Sequence, residues 1–451
     1  MKTARMTSGN ILKVLLVFAV PMILGAMLQQ FYYMADLIIA GYFLGDRAIA
    51  AAGANAGTVI LLLNGVNGIA AGANILIAKI YGEGDEHLSE IHSLTGGFSS
   101  FMCLVSLIIS LAGIVFMRQI LHFMNVPDDI MADALLYSRI VFAGIPFQAM
   151  YSLFAAFLRG IGNSRDAMIG VIASAVTNIV LDIMLISFAG MGVGGLATAS
   201  VAAQATACLY LFIRIMAAHD LLKFSIKDMM PGRDALLPGL KLGLPIGLQR
   251  MILPLGSLLS KYAIYSFGTA AVAGITTAYQ IDTMIMLSVT NVGTAITTFA
   301  AQNRSAGKKI RAVSGFWCGA GISVIFSVFV SIMLFLYNRQ MIGWFSVTEE
   351  TAWYAARLLL TFCIFYPVFS LECAALGLLQ GYEKVSIHVI GNTAVLVIRV
   401  VTIYSLYRII GFTAVPISEV AGWTTATIIY MTRCFKKDIN VQSVIKQKRA
   451  W

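Results

Sequence analysis

The sequence is poor in charge: only 12% of its 451 residues are Asp, Glu, Lys or Arg, against 59% hydrophobic, and the mean hydropathy is +0.85. Soluble globular domains carry about a quarter charged residues, so that class is excluded. Histidine is also scarce, with five residues (His87, His92, His122, His219 and His388), all near loops or helix ends. This leaves no His, Cys or acid constellation of the kind a membrane enzyme needs. The six cysteines, Cys103, Cys208, Cys318, Cys363, Cys373 and Cys434, fall in or at the ends of apolar runs without metal-ligand spacing, and read as reduced packing residues. No glycine-rich phosphate loop ending in Lys-Ser/Thr occurs, which speaks against an ATP-driven pump. The net charge of +10 does not point to nucleic acid, because the basic residues sit in the gaps between apolar runs.

What is abundant is apolar sequence in blocks long enough to span a bilayer, about 20 residues each. Twelve helices are predicted near 11–42, 48–79, 93–117, 130–158, 167–189, 191–216, 237–265, 270–302, 313–336, 352–380, 385–408 and 411–435. The fold class is therefore an all-α polytopic membrane protein. The basic start before VLLVFAV has the look of a signal-peptide n-region, but the apolar stretch continues past Pro21, so the first span is expected to remain in the protein. Small residues crowd the second helix, among them Gly53, Gly57, Gly68 and Gly72, as close helix packing in lipid requires. Lys and Arg concentrate at the N-terminus, in the central loop (Arg214 to Lys241), after the eighth helix (Arg304 to Arg311) and in the tail. Both termini are thus expected on the cytoplasmic side.

One substantial polar linker, 219–238, divides the chain into a first lobe of six helices (1–218) and a second of six with a basic tail (239–451). The two lobes look like repeats. Pro21 answers to Pro245, Gly45 to Gly268, Gly84 to Gly307, and PFQAMYSLFAAFLRG (Pro146 to Gly160) to PVFSLECAALGLLQG (Pro367 to Gly381). An even number of helices per copy inserts both copies the same way up, which relates them by a pseudo-two-fold axis along the membrane normal.

The informative residues are the few polar ones inside apolar runs. A carboxylate near the bilayer centre costs about 2.5 to 3.5 kcal/mol on insertion scales and by default marks function. Asp36 lies toward the outer end of the first helix. Asp182 lies roughly 24 Å along the fifth helix from Asp166 at about 1.5 Å per residue, which is a similar depth. Asn178, one turn before Asp182, shares its face, and Ser200 on the sixth helix reaches the same level. Asp36, Asn178, Asp182 and Ser200 offer hard oxygens to a small cation; equally, two carboxylates in a poorly solvated pocket share a proton near neutral pH. A hydrogen-bonded network without an ion is the plain alternative. The second copy carries Ser260, Arg399 and Ile403 where the first has Asp36, Asn178 and Asp182, so only the first lobe keeps the acids. The second lobe has its own buried charges, Arg250, Lys261, Asp282, Glu372 and Arg399. Asp282 either meets a cationic substrate or neutralises Arg399 or Lys261.

Pro21 with Asp36 downstream, the pair Asn178 and Asp182, LRGIGNSRD (Leu158 to Asp166) and GVGGLATAS (Gly192 to Ser200) together resemble the multidrug and toxic compound extrusion (MATE) family, in its DinF-like bacterial branch. The resemblance covers essentially the whole chain. It implies a bacterial cytoplasmic-membrane antiporter, two six-helix lobes around a chamber, that exports organic and often cationic compounds in exchange for Na⁺ or H⁺. No cofactor is implied beyond that coupling ion, and the partners are drug-like small molecules and membrane lipids, with the chain a monomer. Asp36, Asn178 and Asp182 would form the cation site and Pro21 the bend of the first helix. Ser200 keeps the hydroxyl of the threonine common in the family. After Arg399 the chain continues as Val400 and Val401, without the proline often found there. Two other readings are a flippase for lipid-linked sugars, which would want a cationic cavity rather than the acids, and a membrane protein without transport activity.

Overall fold

The computed structural model describes residues 6–54, 56–84, 88–229, 233–345 and 348–435. The expected basic tail, Lys2, Arg5, His87 and the Pro231–Gly232 pair lie outside those residues. The described residues form no strand. In chain order the helices are α1 (Ile11–Leu44), α2 (Asp46–Gly53), α3 (Ala56–Glu83), α4 (Leu88–Phe123), α5 (Asp128–Gly160), α6 (Arg165–Asp182) and α7 (Gly192–Ala218). They continue as α8 (Arg233–Tyr265), α9 (Thr269–Ser305), α10 (Lys309–Gly343), α11 (Glu349–Gly381), α12 (Val385–Ile410) and α13 (Ala414–Phe435).

The twelve predicted spans are all present as helix. The second is described as α2 and α3, with residue 55, between them, outside the described residues. Ten runs are long and apolar enough to cross a membrane, with α12 and α13 counted as one. α8 is not among them, because several of its side chains between residues 253 and 261 lie outside the described ones. Several helices outrun their predicted ends, α4 and α10 most of all, since helix continues past the apolar stretch that hydropathy detects.

The helices gather into two compact units. One is built on Val20–Leu248, the other on Gln249 onward together with the stretch that ends at Ala19. The borders therefore fall inside α1 and α8, next to Pro21 and Pro245, rather than in the polar linker. Proline lacks the N–H that would bond the carbonyl four residues back, so each border coincides with a place where helical hydrogen bonding is interrupted. α1 is nonetheless one helix through Pro21.

In the first unit the largest core joins α3, α4, α5 and α7 around Phe98, Phe154, Phe157 and Leu211. α3 meets the early part of α8 at van der Waals distance: a Cβ on Gly68 would sit 2.1 Å from the Gly247 Cα, and one on Gly72 2.4 Å from the Gly239 carbonyl. Gly68 and Gly72 are thus a packing surface, as expected, whereas a Cβ on Gly53 or Gly57 would meet nothing within 4 Å. The central linker lies on this unit. It turns twice in short 3-10 helices, Asp220–Leu222 and Ile226–Met229, buries Leu222 and accepts a hydrogen bond from Ser100 at the Met229 carbonyl, 2.7 Å. At its start Asp166 is held by His219 at 2.8 Å and Arg214 at 3.2 Å. Within the linker the backbone N–H and hydroxyl of Ser225 hold the exposed Asp228 carboxyl below the usual carboxylate range.

The second unit has its core along α9, α11 and α13, with Phe362, Tyr366 and Trp423 buried. A short strap precedes α1 and is bound to it through backbone atoms. The Met6 N–H donates to Gln302 Oε1 at 3.0 Å, and Asn303 and Arg311 donate to the Met6 carbonyl. Arg311 also donates to the carbonyls of Ser8 (2.7 Å) and Gly9 (2.8 Å), and Lys308 to that of Thr7 (2.9 Å).

The repeat is written in the backbone. Gly45 and Gly268 adopt the same unusual conformation, φ 78 with ψ −177 and φ 87 with ψ 177, before α2 and α9; only glycine takes such angles freely. α5 and α11 are each 33 residues long with a proline inside, Pro146 and Pro367.

Candidate functional site

The sequence-predicted acids do meet. Asp36 from α1 and Asn178 and Asp182 from α6 come together in the first unit, with the Asn178 amide donating to Asp36 Oδ1 at 3.4 Å and the two carboxyl groups adjacent. Asn178 and Asp182 are fully buried. Neither Asp182 oxygen, nor Asn178 Oδ1, has a hydrogen-bond partner. Buried acceptors in folded proteins almost always have one, so three orphaned oxygens at one place ask for a proton or a cation. Ser200 on α7 is half-buried and no hydrogen bond joins it to the other three among the described residues. Among those residues no group of three or more His, Cys, Asp or Glu is arranged for a metal ion; the oxygen set is two carboxylates and an amide, suited to a hard monovalent ion rather than to a transition metal.

Local sequence explains the geometry. One turn beyond each acid is an apolar residue, Ala40 after Asp36 and Ile186 after Asp182, and these two pack with Ala52, Leu196 and Tyr137. An apolar cap therefore lies directly beyond the acids, where exclusion of water strengthens their interaction with any bound charge. Immediately after Asp182 the helix widens into a π segment, Ile183–Phe188, a distortion that recurs at functional positions. Tyr137 of α5 lies within electrostatic reach of both acids and Tyr32 of α1 within reach of Asp36. Sequence reasoning missed both, since a tyrosine in an apolar run carries no distinguishing signal.

In the second unit Arg399 and Glu419 pair with each other and Asp282 takes a tyrosine partner. Asp282 on α9 is buried and accepts from Tyr366 Oη at 2.8 Å. Arg399 forms its ion pair with Glu419 of α13 rather than with Asp282, and Tyr279 Oη donates to Glu419 Oε1 at 2.9 Å. The side chain of Lys261 lies outside the described residues. Glu372 leaves Oε2 without a hydrogen bond. Trp423 closes over this region, its ring centroid 4.9 Å from that of Phe362 and 6.1 Å from that of Tyr366, the latter pair stacked. Glu419 was absent from the sequence-derived set. The signal for it was the repeat: GFTAVPISE from Gly411 aligns with GVGGLATAS from Gly192, both opening on a glycine with positive φ, which sets Glu419 opposite Ser200.

Comparison with known proteins agrees with this architecture. The relative named Probable multidrug resistance protein YoeA, from Bacillus subtilis (strain 168), is 25% identical over 422 residues, covering 91% of each chain. A solved MOP superfamily transporter from Pyrococcus furiosus superposes with a TM-score of 0.91 at 19% identity, covering 98% of this chain and 99% of that one. A MATE solved in a bent conformation gives 0.90 at 20% identity, over 99% of each. The MatE family model matches residues 21–184 and again 245–405, so that each matched segment opens on one of the two prolines, Pro21 and Pro245. With most of its length matched, and matched once in each half, the chain belongs to the MatE family of membrane transporters and is not an enzyme.

Proposed function

We propose that this chain is a DinF-like multidrug exporter of the bacterial cytoplasmic membrane, with both termini cytoplasmic, driving organic and often cationic compounds outward in exchange for Na⁺ or H⁺. The coupling site is Asp36, Asn178 and Asp182, with Ser200 at its edge. The observation that carries this reading is the fully buried Asp182 carboxyl, neither of whose oxygens has a hydrogen-bond partner among the described residues, beside the Asp36 carboxyl, which accepts the Asn178 amide at 3.4 Å. Entry of a cation or proton neutralises the pair, which favours a rearrangement of α1 about Pro21, where one helical hydrogen bond is already missing. Each inward charge gains about 2.3 kcal/mol per 100 mV of membrane potential. The chain works as a monomer among lipids and needs no cofactor other than the ion. The multidrug name of the relative above supports the cargo class. The test is efflux of a fluorescent cationic drug from proteoliposomes under separately imposed Na⁺ and pH gradients. Efflux under one gradient, lost in Asp36→Asn, is expected; efflux under neither gradient, or an unimpaired Asp36→Asn, overturns the proposal.

A further inference from the structure

We propose that the second unit carries a seat for the phosphodiester headgroup of an acidic phospholipid, in the cavity where α10 begins. The cavity measures about 580 Å³ and is lined by Ile11, Lys308, Lys309, Ile310, Arg311 and Ser314. Its three cations make no ion pair among the described residues, whereas Arg304, a few residues before them, has its own carboxylate in Glu383. Lys308 and Arg311 are fixed in place by the strap, through the carbonyls of residues 6–9, and the Arg311 guanidinium lies 5.4 Å from the Phe299 ring centroid. A carbonyl partner orders a cation but brings no countercharge. The pocket therefore holds two ordered cations, Lys308 and Arg311, beside the exposed Lys309, with no carboxylate paired to them among the described residues, the electrostatic requirement for an anion.

The surroundings select a lipid over a soluble anion. Ile310 is 40% exposed beside the cations, and Leu12 on α1 and Trp317 on α10 are exposed nearby in sequence, at 47% and 40%. α1 and α10 both begin their apolar runs here, so the cations stand where a spanning helix enters the bilayer, the level at which tryptophan and basic residues meet headgroups. A phosphodiester on Lys309, Lys308, the free donor of Arg311 and Ser314 would leave its acyl chains along Ile310 and Leu12. This seat involves none of the acids of the first unit and stands whether or not those acids couple transport.

The test titrates the purified full-length protein in a neutral detergent with short-chain phosphatidylglycerol, phosphatidylcholine and inorganic phosphate, reading melting temperature and tryptophan fluorescence. Phosphatidylglycerol is expected to bind saturably, and at least tenfold more tightly than phosphatidylcholine. Lys309→Glu, which leaves the strap contacts intact, is expected to weaken phosphatidylglycerol about tenfold or more, from roughly 1 kcal/mol per basic charge. The control Arg339→Gln/Arg408→Gln, which removes as much charge elsewhere, is expected to have no effect. Equal binding of the two lipids, an unchanged Lys309→Glu, or an equal loss in the control overturns the proposal. Inorganic phosphate that saturates the site as tightly as phosphatidylglycerol overturns it in favour of a soluble anion.

Discussion

The two units place different chemistry at matching positions. In the first, Asn178, Asp182 and Asp36 present acceptors with no cation or sufficient donors among them. In the second, the counterpart of Asn178 is Arg399, that of Ser200 is Glu419, and these two form an ion pair supported by Tyr279. The remaining counterparts are equally content: Ser260 donates to its own helix at the Gly256 carbonyl, 2.9 Å, and Ile403 is buried and apolar. The second copy thus has its cation covalently attached, whereas on the proposed function the first borrows one. A permanent guanidinium cannot leave, so the second arrangement holds a structure; the proposal gives the first an exchangeable ion or proton and with it two charge states.

Five variants probe that contrast, in descending order of effect. Asp182→Asn is expected to reduce gradient-driven efflux in proteoliposomes to background while leaving the melting temperature near or above that of the parent, because it removes a buried carboxyl that has no donor. Removing the tethered cation's partner, Glu419→Ala, is expected to destabilise the fold by about 3 to 5 kcal/mol, since it leaves a buried charge alone. The apolar pair Arg399→Met/Glu419→Leu should recover most of that loss in thermal unfolding, and failure to recover would mean the pair does more than balance itself. Building the second copy's solution into the first, Asn178→Arg/Ser200→Glu, is expected to abolish any Na⁺- or pH-dependent shift in melting temperature, with the protein still folded. Last, Tyr366→Phe deprives Asp282 of its donor and is expected to cost about 1 to 3 kcal/mol in the same unfolding measurement, with coupled efflux retained.

Asp36, Asn178 and Asp182 were legible in the sequence because a polar residue in an apolar run is conspicuous, and helical rise fixes its depth to within a turn. The twelve spans and the repeat were legible for related reasons, long apolar blocks and glycines and prolines in corresponding places. Glu419 was not, although it falls inside the last predicted span: it lies near the start of that span, and only its alignment with Ser200 through the repeat singles it out. Tyr279 and Tyr366 act through hydroxyls that hydropathy counts together with their rings. The π segment after Asp182 has no compositional signature, and the partner of Arg399 depends on which of several buried acids the packing brings within reach. What the sequence conveys well is position along a helix axis; which neighbour a side chain turns to is a property of the assembled bundle.

The strap before α1 has a consequence for variation. Arg311, Lys308 and Asn303 grip carbonyls of residues 6–9 rather than side chains, so Thr7 and Ser8 are free to change their identity. Their number is not free: residues 6–9 form a turn and a bend, and one residue inserted or deleted between Met6 and Ile11 would move the grip off its carbonyls or drag the start of α1 along its axis. This segment works as a ruler, indifferent to spelling and strict about length.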